Sequence, residues 1–290
     1  MIVAGFTFIR NAVKFDYPIV ESIKSILPVC DNFIVCVGNS EDGTYDLIRS
    51  IDPEKIVIID SVWDDNLREG GKVLAVETNK AFQAIPAETD WAFYIQGDEV
   101  VHEKYLDNIM SSMHKWKDNK DVEGLLFKYL HFYGSYDYIG ISPRWYKNEI
   151  RIIRNNKKIY SYKDAQGFRI NDNQKLKVKP IDAYVYHYGW VKEPKAMQKK
   201  QEIFNKYWHD DKWIETNISK NESFNYLNVD SLEKFKETHP QVMIERINQK
   251  NWKFDYDISF NKLSLKNKIK LFIEKSFNID LGYKNYRIIH

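Results

Sequence analysis

Short apolar runs rich in β-branched and aromatic residues alternate along the first hundred positions with stretches whose apolar residues recur every three or four. Residues 2–8, 33–37, 55–59 and 91–95 are runs of the first kind, the pattern of strands buried on both faces. Between the first two, Pro18 suits the first turn of a helix, and Ile19, Ile23, Ile26 and Leu27 form one stripe that packs on a sheet. Asp31 or Asn32 ends it. Residues 45–50 and 72–85 read as two further helices. A β-α-β-α-β-α-β order predicts a mainly parallel sheet flanked by helices, with function carried on the loops at the carboxyl ends of its strands.

After residue 100 the alternation weakens. The pattern predicts a helix over 103–116 and strands over 124–132, 149–154 and 183–188, mixed in direction. Between them lies an aromatic segment, residues 129–146, in which Tyr133, Tyr136, Tyr138 and Trp145 stand among Gly and Ser; such a segment suits the lining of a cleft. From Pro194 onward helices and polar linkers dominate. The division expected is an α/β domain over residues 1–230 and a basic helical extension over 231–290.

Composition narrows the classes of function. The 290 residues are 43% hydrophobic and 15% aromatic, a globular rather than disordered chain. Lys and Arg number 43 against 41 Asp and Glu, too even a balance for a nucleic-acid coat, so electrostatic function must be local. Cys30 and Cys36 have no companions to build a zinc or disulfide framework and read as buried small hydrophobes in a reducing, cytoplasmic setting. Residues 1–9 are too short for a signal-peptide core, and no apolar run approaches the roughly 18 residues needed to span a bilayer. The charge is uneven only near the end, where residues 259–290 carry seven Lys and Arg against two acids. Leu263, Ile269, Leu271, Phe272 and Ile273 stand there among Lys262, Lys266, Lys268, Lys270 and Lys275. That pattern fits a basic amphipathic helix on an anionic membrane, or a docking helix with a solvated lysine face.

Three loops carry candidate chemistry. The strand over 91–95 ends abruptly in Gln96-Gly97-Asp98-Glu99; a carboxylate at the carboxyl end of a central strand suits a divalent cation that holds a diphosphate, or else caps the next helix. Gly38-Asn39-Ser40-Glu41-Asp42-Gly43-Thr44 has the composition of a tight turn followed by a helix cap at Thr44. In the loop after the third strand, Gly70 and Gly71 let backbone approach a ligand, while Arg68 and Lys72 are placed to neutralise phosphate near a helix N-terminus.

Taken together, these residues resemble the family 2 glycosyltransferases of the GT-A fold, over roughly residues 2–200. Phe6-Thr7-Phe8-Ile9-Arg10-Asn11 looks like the family's first-strand segment that meets the nucleotide, and Asn39-Ser40-Glu41-Asp42-Gly43-Thr44 like the end of its second-strand motif. Gln96-Gly97-Asp98 stands where the family carries Asp-x-Asp. Arg151-Ile-Ile-Arg154-Asn155, Lys163-Asp164-Ala165 and Tyr186-His187-Tyr188 are similar in order to the lipopolysaccharide-core β-glucosyltransferase branch. The resemblance implies a metal-dependent, inverting transfer of a sugar from a nucleotide diphosphate donor, UDP-linked first, to a hydroxyl of a glycan or lipid-linked acceptor in surface polysaccharide synthesis. It implies a manganese or magnesium ion on Asp98 and His187, with Asp164 as the base and Glu149 and Asp137 in reserve. Thr7, Phe8, Arg10, Asn39, Gln96 and Gly97 are then donor-binding residues. Tyr133, Tyr136, Trp145, Tyr146 and Trp190 are the candidates for a sugar-stacking wall. The chain departs from the pattern where the family's acidic pair falls on Val37 and Gly38 and where Gln96 replaces an Asp. A non-catalytic nucleotide- or carbohydrate-binding protein and a sugar nucleotidyltransferase are the alternatives.

Overall fold

The computed structural model describes residues 1–218, 221–259, 261–277 and 279–290. Strands β1 (Val3–Ile9), β2 (Asn32–Gly38), β3 (Ile56–Ser61) and β4 (Trp91–Tyr94) pair in parallel in the order β4-β1-β2-β3. Helices α1 (Ile19–Ile26), α2 (Thr44–Arg49) and α3 (Lys72–Gln83) make the crossovers. Within each apolar run, successive side chains go to opposite faces and so feed two cores. Val35, Phe93 and Ile95 join the α1 side, while Phe6, Ile34, Cys36 and Tyr94 join the α3 side. Both cysteines are buried and free. Gly5 lets β1 and β2 pack closely, because a Cβ there would meet the Phe33 ring at 2.3 Å.

The second half extends the same sheet. It contributes β5 (Glu99–Val101), α4 (Leu106–Trp116), β6 (Gly124–Tyr133), β7 (Ser135–Gly140) and β8 (Asn148–Arg154). A small antiparallel sheet of β9 (Ile159–Tyr162), β10 (Gly167–Ile170) and β11 (Gln174–Lys175) lies beside it. The long β12 (Lys177–Trp190) runs parallel to β6 and antiparallel to β5. Of the described strands in the main sheet, β5, β7 and β8 run against the rest. The α/β class and the mostly parallel sheet flanked by helices are therefore as expected from the sequence.

Two capping expectations are corrected. Asp98 caps no helix: the turn before α4 opens at His102, whose ring accepts from the Lys104 amide. Thr44 is buried, and its hydroxyl accepts from the Ala12 amide, while Asp42 accepts from the Thr44 amide.

Beyond β12 come α5 (Pro194–Phe204), α6 (Asp211–Asn217), β13 (Leu232–Lys234), α7 (Ile244–Asn248), α8 (Leu265–Phe277) and β14 (Arg287–Ile288). β13 pairs with β7 and β14 with β12, so residues 231–290 add strands to the main sheet. α8 is held through buried Glu274, which accepts from Lys147 Nζ at 2.7 Å, and Leu265, Ile269 and Phe272 face outward. Among the described residues no helix is long and apolar enough to cross a membrane.

Candidate functional site

A cavity of about 410 Å³ opens where β1 and β4 end, with β12 on one side and α5 and the turn after it above. Its position follows from the sheet, since parallel strands end together and their loops leave a crevice. Phe8, Arg10, Gln96, Gly97, Asp98, Asp164 and His187 all line it. These residues are far apart in sequence, and the structure brings them together.

Asp98 and His187 meet because β12 pairs with β5: His187 is level with Glu99, and the Tyr188 amide donates to the Asp98 carbonyl at 2.8 Å. His187 Nε2 lies 3.7 Å from Asp98 Oδ1. Two residues on is Gly189, where a Cβ would sit 2.7 Å from both Asp98 Oδ2 and His187 Nε2. The protons of the histidine pair can be placed. His131 Nε2 is 2.8 Å from the Tyr146 carbonyl, a pure acceptor, so that nitrogen carries the hydrogen. Burial pushes both rings below the usual histidine range, His131 far below it, against the fields of Asp98 and Glu99 that pull His187 up; with His131 Nδ1 left as the acceptor, His187 Nδ1 donates to it across 3.1 Å. His187 Nε2 is left facing Asp98.

Lys200 completes the group. Its ammonium stands 3.5 Å from Asp98 Oδ2 and 3.0 Å from the Gly189 carbonyl, on a side chain only 7% exposed. Burial raises the Asp98 carboxyl, but the fields of His187, Lys200 and Lys192 outweigh it and hold the group below the usual carboxylate range. Burial and the neighbouring Lys200 bring Lys192 down to about 7.

A carboxylate beside an imidazole is half of a metal site. The Gln96 amide nitrogen donates to the Tyr94 hydroxyl and the Ala165 carbonyl, and among the described residues no three His, Cys, Asp or Glu side chains gather to hold a cation. The one carboxylate present already carries an ammonium. One carboxylate and one imidazole, with an ammonium already on the carboxylate, do not fit a divalent ion resident without the oxygens of a diphosphate.

Asp164 sits on the tight turn between β9 and β10, flanked by left-handed Lys163 (φ 54°) and Ala165 (φ 62°). Burial raises its carboxyl above the usual range, against backbone hydrogen bonds and Lys163 that pull it down. Gly71 (φ 69°) gives it room, because a Cβ there would lie 2.6 Å from Asp164 Cβ and 2.9 Å from Trp208. The glycine expected to admit a ligand admits these side chains instead. Arg10 is held at the rim by Asp65 at 2.6 Å and by the Asn39 carbonyl, and its guanidinium lies 5.7 Å from the Trp63 ring centre. Asn39 Oδ1 accepts from the Trp63 amide, so Asn39 positions two lining residues. Where the resemblance places an acid, a Cβ on Gly38 would lie 2.4 Å from Trp63 Nε1; the indole fills the space of the missing carboxylate.

Other expected residues lie elsewhere. Arg68 is paired with Asp211 at 2.8 Å and bonded to the carbonyls of Lys206 and His209, and Lys72 is an exposed partner of Glu69. Neither lines the cavity, nor does Thr7, which is buried within β1. The reserve bases are also displaced: Glu149 is buried beside Arg151 with its carboxyl pushed up to about 8, and exposed Asp137 bonds Ser135 and Lys250. Of the aromatic candidates, Tyr146 and Trp190 line the cavity, while Tyr136 and Tyr138 pack in cores. Tyr133 and Trp145 join Trp190 around a second, more open cavity of about 650 Å³ that shares Arg144 and Gln201 with the first.

Sequence reasoning missed what anchors the site. Glu99, next to Asp98, turns inward to a fully buried bidentate pair with Arg151 at 2.7 and 2.8 Å, and it also accepts from the Tyr129 hydroxyl and the Gln96 amide. Arg151 donates in addition to the Gln166 carbonyl, tying the Asp98 loop to the Asp164 turn. The position of Arg151 in an apolar strand was the available signal, since a cation buried there needs an acid.

No protein-family model and no curated protein sequence matches the chain. Among solved structures it is similar to Staphylococcus aureus TarS (13% identity, TM-score 0.40, 77% of this chain and 41% of that one). It is also similar to 4-diphosphocytidyl-2C-methyl-D-erythritol synthase from Anaerococcus prevotii (11% identity, TM-score 0.39, 71% of this chain and 94% of that one). A third is glucosyl-3-phosphoglycerate synthase from Mycobacterium tuberculosis, solved with Mn²⁺, UDP-glucose and phosphoglyceric acid (15% identity, TM-score 0.30, 45% of this chain and 44% of that one). The chain thus spans well under half the length of the TarS chain to which it is similar.

Proposed function

We propose that the protein is an inverting glycosyltransferase that moves a sugar from a nucleotide diphosphate donor, UDP-linked first, to a hydroxyl of a glycan or lipid-linked acceptor in surface polysaccharide synthesis. The observation that carries the reading is the convergence of the Gln96-Gly97-Asp98 loop, the cations Arg10 and Lys200 and the carboxyl of Asp164 in one cavity of about 410 Å³, a volume in the range of small-ligand sites. Phe8 and Trp63, with ring centres 5.8 Å apart, offer aromatic faces to a nucleobase. In the transfer the acceptor oxygen bonds to the anomeric carbon as the bond from that carbon to the phosphate oxygen breaks. The diphosphate leaves with the electron pair, and Asp164 takes the acceptor's proton. Calorimetric titration of UDP, GDP, CDP and dTDP tests this. One nucleotide should bind the native protein and lose at least about tenfold in affinity in Asp98→Ala, which leaves Lys200 without its counter-ion. Binding of none of the four would sink the reading.

The acceptor enters by the second cavity in this reading, where Tyr133, Trp145 and Trp190 stand among neutral amides such as Asn221 and Asn228, a surface suited to sugar rings. A lipid-linked acceptor fits the outward face of α8, where Leu265, Ile269 and Phe272 are 75%, 52% and 70% exposed beside Lys266, Lys268 and Lys270. Sedimentation with vesicles should then show binding to phosphatidylserine-containing membranes, weakened by salt and by Phe272→Ser. Equal binding to neutral vesicles, or none to either, would remove the membrane from the proposal.

A further inference from the structure

Resting on the transferase reading, we propose that the ammonium of Lys200 meets the donor's diphosphate in place of a divalent cation, with Asp98 and the Gly189 carbonyl as its seat. α5 begins four residues after β12 ends, and its geometry returns Lys200 to the end of that strand. There Nζ has oxygen partners at 3.0 Å on Gly189 and 3.5 Å on Asp98. An ammonium has three hydrogens, and these two partners leave one for the cavity that Lys200 lines. The rings of Tyr17 and Phe204 flank it at 5.0 and 5.3 Å, so the charge sits between apolar walls, where its field on a phosphate is screened less than in water.

Charge balance separates this arrangement from a metal site. Asp98 and Lys200 together are neutral, and a diphosphate arriving beside them finds one unshared N–H of a fixed cation. A divalent ion bound to Asp98 would instead stand beside that ammonium, and until a diphosphate arrived one carboxylate would have to offset both. Lysine binds phosphate as a point charge and undergoes no bond change in the transfer: the leaving diphosphate gains its negative charge against a cation already in place. Gly189 keeps the seat open, since any side chain there would collide with Asp98 and His187.

The test is titration of UDP and of inorganic pyrophosphate into the full-length protein, in EDTA and again with Mn²⁺. We expect the two conditions to agree within about twofold, and Lys200→Gln to weaken both ligands by about tenfold or more, with Lys200→Arg recovering part of the loss. Mn²⁺ paramagnetic resonance should show no tight site on the native protein. Binding that EDTA abolishes and Mn²⁺ restores in the native protein would overturn the assignment while leaving the transferase reading in place, and needs no variant to fold. Failure of both ligands in both conditions would overturn the assignment and the transferase reading together.

Discussion

Asp164→Asn is expected to lower the transfer rate by about 10²–10⁴-fold while nucleotide affinity stays within about twofold, the signature of a lost proton acceptor. Asparagine keeps the size of the side chain, so the turn and its close approach to Gly71 persist. The pH profile gives an independent readout. Burial holds the Asp164 carboxyl above the ordinary carboxylate range, and a base works only when ionised. Activity should therefore rise with pH through that raised value and fall away below it, at a higher pH than a solvent-exposed aspartate would give. In the asparagine variant this acid limb should vanish. Measurement of kcat and KM against pH, beside calorimetry of the nucleotide, checks both parts; a variant with the native rate and the native limb removes Asp164 from the mechanism.

The largest effect on stability is expected from Arg151→Met. The side chains of Arg151 and Glu99 are 1% and 0% exposed, and removal of the cation leaves a buried carboxylate with no counter-ion, a loss of about 3–5 kcal/mol. For a chain of this size that lowers the melting temperature by about 10 °C. The double variant Glu99→Met/Arg151→Met should recover part of the loss, because no uncompensated charge remains. It should not recover nucleotide binding, since the pair also holds the Gln96 amide and the Gln166 carbonyl on the two loops of the site. Calorimetric melting of the single and double variants, followed by nucleotide titration of the double one, separates the structural role from the positioning role.

Much of the parallel half of the fold is legible in the sequence, because strands buried on both faces leave uninterrupted apolar runs that end sharply. The run over β4 ends one residue before Gln96, and this drew attention to Asp98. β5 escaped because its three residues follow directly on the functional loop with no alternation to announce them. β12 was expected over six residues and extends over fourteen, because its pairing with β6 and β5 supplies order that its mixed polar pattern does not. Arg68 suited a phosphate site by its loop; its partner Asp211 lies 143 positions on, beyond the reach of any local pattern. Lys200 was hidden for the opposite reason. It is one of several lysines on and after α5, with Lys195 and Lys199 exposed, and only the return of the helix against β12 sets it apart.

Asp98 and Glu99 are adjacent, yet one serves the cavity and the other the core, because Asp98 stands in the turn after β4 while Glu99 opens β5 and pairs with β12. The two acids are chemically near-equivalent, so their separate duties rest on position alone. The division is set by where β5 begins: pairing with His187 fixes Glu99 on the side of Arg151 and leaves Asp98 on the turn before it.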